Sequence, residues 1–283
     1  MKTILVTGAG GQLGRCFRKQ GLKFPNFKFI FCTSKELDIT SKNKLRSEIS
    51  RHKPDVIINA AAYTNVELAE TEKEKAYLVN AEASANLAEI CSEKDIQLFH
   101  FSTDYVFNGK ASEPYSEKDE VDPINVYGAS KLAGERKIEE KLEKHFIFRT
   151  SWLYSEFGHN FFNTILKKAD EKAELNITSS QTGTPTNAND LAEFVLKVIE
   201  SGSEKYGIYH FSNLGEATWY DFAKEILDYS QKIDEVVLNE TGFYKTKAER
   251  PAYSVLSKEK ARNTFEFEIP HWKESLHRLI DEN

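Results

Sequence analysis

Lys2-Thr3-Ile4-Leu5-Val6-Thr7-Gly8-Ala9-Gly10-Gly11-Gln12-Leu13-Gly14 follows the initial methionine. A short β-branched run leads straight into a glycine loop, and a helix is predicted to start near Gly11. Gly8, Gly11 and Gly14 give GxxGxxG spacing. One such glycine permits a tight turn, one lets backbone approach a pyrophosphate, and one lets the helix pack close to the sheet. The free N–H groups and positive dipole of the helix N-terminus suit a phosphate. Strand before and helix after point to dinucleotide binding.

Strand and helix signals alternate onward from there. Phe29–Cys32, Val56–Ile58, Leu98–Phe101 and Phe146–Phe148 read as strands. An amphipathic helix is predicted from Glu72 to Glu93, and another from Pro123 to about Leu142. Strands separated by helices predict an α/β fold with a doubly wound parallel sheet. After about residue 150 the rhythm loosens. Aromatics become frequent, and Gly and Pro punctuate Gln181-Thr182-Gly183-Thr184-Pro185-Thr186. Ala188–Ile199 and Trp219–Leu227 read as helices, and Ile208–Phe211 as a strand. The division expected is a dinucleotide-binding domain at 1–150 and a substrate lobe at 151–283, with later segments returning to the first.

The chain has 283 residues, 40% hydrophobic and 29% charged, the composition of a globular protein. No apolar run approaches the ~20 residues of a membrane span. The opening apolar stretch is too short for a signal-peptide core, so the cytoplasm is expected. Cys16, Cys32 and Cys91 lack metal-ligand spacing and read as free thiols. A net charge of −6 disfavours non-specific nucleic-acid binding.

Tyr127-Gly128-Ala129-Ser130-Lys131 places a phenol and an ammonium one helical turn apart. A phenol titrates near ~10 and needs a stabilised anion to serve at neutral pH. A neighbouring lysine is expected to lower it, so that Tyr127 gives a proton to a carbonyl oxygen as hydride reaches the carbon. Thr103, in Ser102-Thr103-Asp104-Tyr105, follows a strand and sits where ligands bind in parallel sheets. It is a candidate to orient the substrate oxygen, or else part of a polar turn. The small residues of Asn59-Ala60-Ala61-Ala62-Tyr63-Thr64 leave room for ribose and nicotinamide. No acid ends the second strand. Ser34 and Lys35 there favour a 2′-phosphate and hence NADPH, although Lys35 reads equally as a solvated loop lysine. Asp38 is a candidate for the adenine side, or a turn residue. Trp152 follows a strand end and is read as covering a sugar, or as a core tryptophan.

These residues lie within longer motifs: GAGGQLG at 8–14, LDIT at 37–40, NAAAYTNVELAE at 59–70, FSTDYVFNG at 101–109, NVYGASKLAGE at 125–135, FRTSWLY at 148–154, QTGTPTNANDLA at 181–192 and RPAYSVL at 250–256. With them the chain resembles the extended short-chain dehydrogenase/reductases, a Rossmann-fold family, and among them the dTDP-4-dehydrorhamnose reductases. The resemblance implies that NAD(P)H reduces the C4 ketone of dTDP-4-dehydro-L-rhamnose. It makes Tyr127 the proton donor, Lys131 the partnering lysine and Thr103 the active-site hydroxyl. Thr103, Asp104 and Trp152 would hold the sugar. Gly8, Gly11, Gln12, Leu13, Asp38, Ile39, Ala62, Tyr63, Thr64, Tyr127 and Lys131 would contact the cofactor, NADPH, with NADH left open. Arg250 would neutralise the diphosphate or form a structural ion pair.

Three features depart from the family, among them the second-strand end, which leaves the choice between NADPH and NADH open. Some relatives link dimers through magnesium using a glutamate where this chain has Cys16, so no metal is expected, and the assembly expected is a monomer or weak homodimer. Ser180 stands where an aspartate is frequent. A dehydratase or epimerase shares the fold, but dehydratases follow Thr-Asp with Glu, and here Tyr105 follows. A third alternative is a non-catalytic, NADP-binding regulatory subunit. Retention of Thr103, Tyr127 and Lys131 argues against it.

Overall fold

A computed structural model describes residues 1–242 and 246–283. The first half runs β1 (Lys2–Thr7), α1 (Gln12–Gly21), β2 (Phe27–Phe31), α2 (Lys42–His52), β3 (Val56–Asn59), α3 (Val66–Ala69), α4 (Lys73–Tyr77), a π turn (Leu78–Glu82), α5 (Ala83–Lys94), β4 (Gln97–Thr103), α6 (Val126–Lys141) and β5 (His145–Thr150). The second half runs β6 (Leu153–Tyr154), α7 (Phe161–Asp170), β7 (Glu174–Thr178), β8 (Thr182–Gly183), β9 (Thr186–Asn187), α8 (Ala188–Ser201), β10 (Gly207–His210), β11 (Ala217–Thr218), α9 (Trp219–Tyr229), β12 (Val237–Thr241), α10 (Glu259–Phe265) and α11 (Trp272–Asp281).

The main sheet has the order β10-β5-β4-β3-β1-β2, and every pairing is parallel. Its strands are apolar on both faces, as a sheet covered on both sides requires. Ile4, Val6, Val56, Ile58, Phe99 and Phe101 face one core with α1 and α8. Leu5, Ile57, Leu98 and Ile147 face the other with α2, α5 and α6. α8 and β10 lie beyond residue 150 yet cover and extend this sheet. A separate core of Tyr154, Phe162, Phe222, Trp272 and Leu276 holds α7, α9 and α11 together.

Two boundaries differ from expectation. α6 begins at Val126 and not at Pro123. Asn125 caps it, its Oδ1 accepting from Gly128 N–H at 2.8 Å, and an asparagine supplies the acceptor that a proline lacks. The helix expected from Glu72 to Glu93 contains the π turn between α4 and α5. Such a turn inserts one residue, and here it pushes the Asn80 carbonyl against Gly134 of α6. A methyl group at 134 would lie 2.1 Å from that oxygen.

Candidate active site

The site is built at the carboxyl edge of the sheet. Gly8 turns with φ +63°, and a side chain there would strike the backbone of Ala60 and Ala61 at under 3 Å. A methyl at Gly14 would lie 2.6 Å from Ala9 Cα, whereas Gly11 faces only the Gly8 carbonyl, 3.3 Å away. Gly8 therefore makes the tight turn and Gly14 the close approach of helix to loop. Gly11 N–H donates to Gly8 O, and Gly11 caps α1 without a side-chain acceptor. First-turn N–H groups of α1 are thus left for an anion. Gln12 Oε1 accepts from Asn160, while its Nε2 is buried and without a partner among the described residues. Leu13 is buried in the core behind. A cradle that side chains would fill, with a free buried amide, fits a dinucleotide pyrophosphate.

Ala62, Tyr63 and Thr64 leave β3 beside this loop. Asn80, in the π turn, fixes them: its Oδ1 accepts from Tyr63 N–H at 2.9 Å, and its Nδ2 donates to Tyr63 O and to Ser130 Oγ. Ser130 donates in turn to Tyr127 O. Asn80 lies outside the motifs that single out the site, and the structure buries it. Asp38 accepts from the N–H and hydroxyl of Thr40, which hold its carboxyl below the usual range. Ile39 is buried, and Ser34 and Lys35 are exposed.

Thr103 ends β4, buried, its hydroxyl donating to Asp104 Oδ1 at 3.0 Å and accepting from Tyr105 N–H. Burial pushes the Asp104 carboxyl up to about 7, against side-chain hydrogen bonds from Ser254 and Thr103 that lower it. Tyr127, in the first turn of α6, packs edge-on to Tyr105, with ring centroids 6.0 Å apart. The expected lowering of its phenol by Lys131 is corrected. Burial first, and then the Asp104 charge, push it up to about 12. Lys131 shares the helix face but turns down to the sheet, donating to Phe101 O at 2.5 Å. Burial lowers its ammonium to about 8. The phenol is consequently fully protonated at neutral pH.

Trp152 adopts φ +47°, which bulky residues rarely do. It is half-buried, lies against Gly183 and stacks on Trp219 at 3.6 Å between centroids. Trp219, which the sequence offered only as the start of a helix, donates to Gln181 Oε1. Ser180 bonds Thr178. Arg250 Nη2 donates to Glu67 Oε1 at 2.9 Å, while Nε is buried and unpartnered among the described residues. Asn125 Nδ2 donates to Glu249 O, tying this segment to the start of α6.

Known proteins match this chain over its whole length. The family model described as RmlD substrate binding domain matches residues 1–283. The spore coat polysaccharide biosynthesis protein SpsK of Bacillus subtilis is 41% identical, over 100% of this chain and 98% of its own. The crystal structure of a dTDP-4-dehydrorhamnose reductase from Clostridium acetobutylicum superposes with a TM-score of 0.94 at 39% identity, covering 99% of both chains. A dTDP-4-dehydrorhamnose reductase from Bacillus anthracis, in complex with NADP, gives 0.93 at 36% identity, covering 100% of this chain and 99% of that one.

Proposed function

The chain belongs to the RmlD substrate binding domain family, and from that premise we propose that it reduces the C4 ketone of dTDP-4-dehydro-L-rhamnose with NADPH, giving dTDP-L-rhamnose. The observation that carries this reading is similarity over the whole length to such reductases, in a chain whose Tyr127 phenol hydrogen-bonds Thr103 and which carries Lys131 one turn further along α6.

NADPH, when bound, supplies the hydride that reaches C4. Gly8, Gly11, Gln12 and Leu13 would hold its pyrophosphate, and Asp38, Ile39, Ala62, Tyr63 and Thr64 would line the rest of its site. The Thr103 hydroxyl orients the ketone oxygen. Tyr127, protonated at neutral pH, donates its phenolic proton to that oxygen as the C–O double bond becomes an alcohol. Lys131, charged below about 8, supplies positive charge against which the phenolate forms. Trp152 offers a flat face to the deoxysugar, and Asp104 accepts from a sugar hydroxyl.

The same reading makes residues 1–150 the dinucleotide-binding part and 151–283 the substrate lobe. It also makes the protein a cytoplasmic monomer or weak homodimer with NADH as the secondary donor. Among the described residues no helix is long and apolar enough to cross a membrane. The test mixes purified protein with NADPH or NADH and dTDP-4-dehydro-6-deoxyglucose, with and without a 3,5-epimerase, and follows absorbance of the reduced cofactor. Oxidation dependent on the epimerase is expected. No oxidation with either cofactor overturns the reading.

A further inference from the structure

Thr7, Asn59 and His100 stand side by side across β1, β3 and β4, where Thr7 pairs in register with Asn59, and Asn59 with His100. All three are buried. Their side chains project to the α2–α5–α6 face, like Leu5, Ile57 and Leu98 two residues earlier. They form one polar row. Thr7 Oγ1 lies 2.7 Å from Asn59 Oδ1, and Asn59 Nδ2 lies 3.0 Å from His100 Nδ1. His100 Nε2 then lies 3.5 Å from Lys131 Nζ. Because Gly8 follows Thr7, the row runs from the glycine loop to the site lysine.

We propose that Thr7, Asn59 and His100 are positioning residues for Lys131, and that their hydrogen bonds have two complete wirings, one for each protonation state of the lysine. The proposal rests on Lys131 being the site lysine of the reductase reading. A buried polar row is costly unless every member is satisfied, and apolar side chains would fill this sheet face without that demand. The row is no proton wire, since a carboxamide does not relay protons. It can, however, turn over. Burial, and then the Lys131 charge, hold His100 well below the usual imidazole range, so its ring stays neutral with a single N–H.

When Lys131 is an ammonium, it needs a lone pair on Nε2. The ring proton then sits on Nδ1 and donates to Asn59 Oδ1, with Nδ2 donating to Thr7 Oγ1. When Lys131 is an amine, Nε2–H donates to Nζ, Nδ1 accepts from Asn59 Nδ2, and the Thr7 hydroxyl donates to Oδ1. Rotating the Asn59 amide by half a turn and exchanging the His100 tautomer interconvert the two. A hydroxyl at position 7 serves both, because it donates or accepts. Phe101 O holds Nζ throughout.

Other titratable groups face these residues. Glu135, one turn further along α6, is neutralised by Arg149 of β5 at 2.7 Å. His145 of β5 faces His100. Tyr127 and Asp104 lie towards the site. Among the described residues, none of them hydrogen-bonds Nζ.

The experiment uses the full chain labelled with ¹⁵N-histidine. His100 is identified among the seven histidines by loss of its signals in His100→Gln, and its ring nitrogens are followed by NMR from pH 6 to 10. Exchange of the protonated nitrogen from Nδ1 to Nε2 is expected, without an imidazolium signal. In Asn59→Asp, whose carboxylate only accepts, the Nδ1–H tautomer should persist across the range. One unchanging tautomer in the unmodified protein overturns the proposal, as does an Asn59→Asp variant that still exchanges. These readouts need no substrate, so they stand apart from failure of the reductase assay. With substrate, His100→Leu should lower kcat about 10-fold with KM values changed less than about 2-fold. Unchanged kcat in that folded variant also overturns it, and if the variant does not fold, the NMR result decides.

Discussion

Trp152 and Trp219 stack almost parallel, 9° apart, and the stack holds Trp152 in a left-handed backbone conformation over Gly183. A half-buried indole in such a conformation fits a recognition surface better than a core. Trp152→Ala is expected to lower kcat/KM for the sugar nucleotide about 10-fold or more, with NADPH affinity unchanged. The melting temperature should fall by far less than the ~3–5 kcal/mol of emptying a core site implies. A large stability loss with unchanged kcat/KM defeats the sugar-site role. Trp219→Ala should reproduce the kinetic loss in part, through Trp152.

Tyr127→Phe removes the phenolic proton and little volume. Turnover should fall ~10²-fold or more while NADPH still binds. The check is a steady-state assay beside a fluorescence titration of the cofactor. Near-normal turnover rules out Tyr127 as the donor.

The glycine loop separates two substitutions by geometry. A methyl at Gly14 would lie 2.5 Å from Gly8 O, whereas at Gly10 it would meet only Thr33 Cγ2 at 3.6 Å, ordinary contact. Gly14→Ala should destabilise by ~1–3 kcal/mol and weaken NADPH binding, because the cradle must shift. Gly10→Ala should stay within ~0.5 kcal/mol. Denaturant unfolding and cofactor titration of both variants decide, and equal effects would mean that the loop is not held as described.

Asp104 gives a pH signature. Its folded carboxyl is raised from 3.8 to about 7 by burial. The native state therefore keeps a proton that the unfolded chain releases. The resulting stability is fully present below about 4 and is lost as pH rises through about 7, by on the order of 4 kcal/mol. Asn at this position carries no such dependence. Asp104→Asn should gain in melting temperature relative to the unmodified protein between pH 4 and pH 8. A difference that stays constant with pH contradicts a buried, protonated Asp104.

Cys16 bears on metal dependence. Burial pushes its thiol up to about 12, so it is neutral and a poor ligand for an oxygen-seeking ion. EDTA should leave turnover and sedimentation unchanged. Loss of either on chelation, restored by magnesium, would show that carboxylates elsewhere build a site.

Features that depend on neighbours along the chain are legible without the fold. Alternating apolar runs and helical periods specify the parallel α/β sheet, because each element reports its own burial through its own spacing. The glycine intervals and the Tyr127–Lys131 interval lie within single turns and were legible for the same reason. Features that depend on register between distant segments emerge only when the chain is folded. Lys131 Nζ bonds Phe101 O and approaches His100, partners 30 and 31 positions away along the chain. Arg250 meets Glu67 across 183 positions. Asn80 reaches Tyr63 and Ser130 through a π turn that no apolar period announces. The row from Thr7 to His100 exists because three strands align within one residue, and a shift of one would turn each side chain to the opposite face.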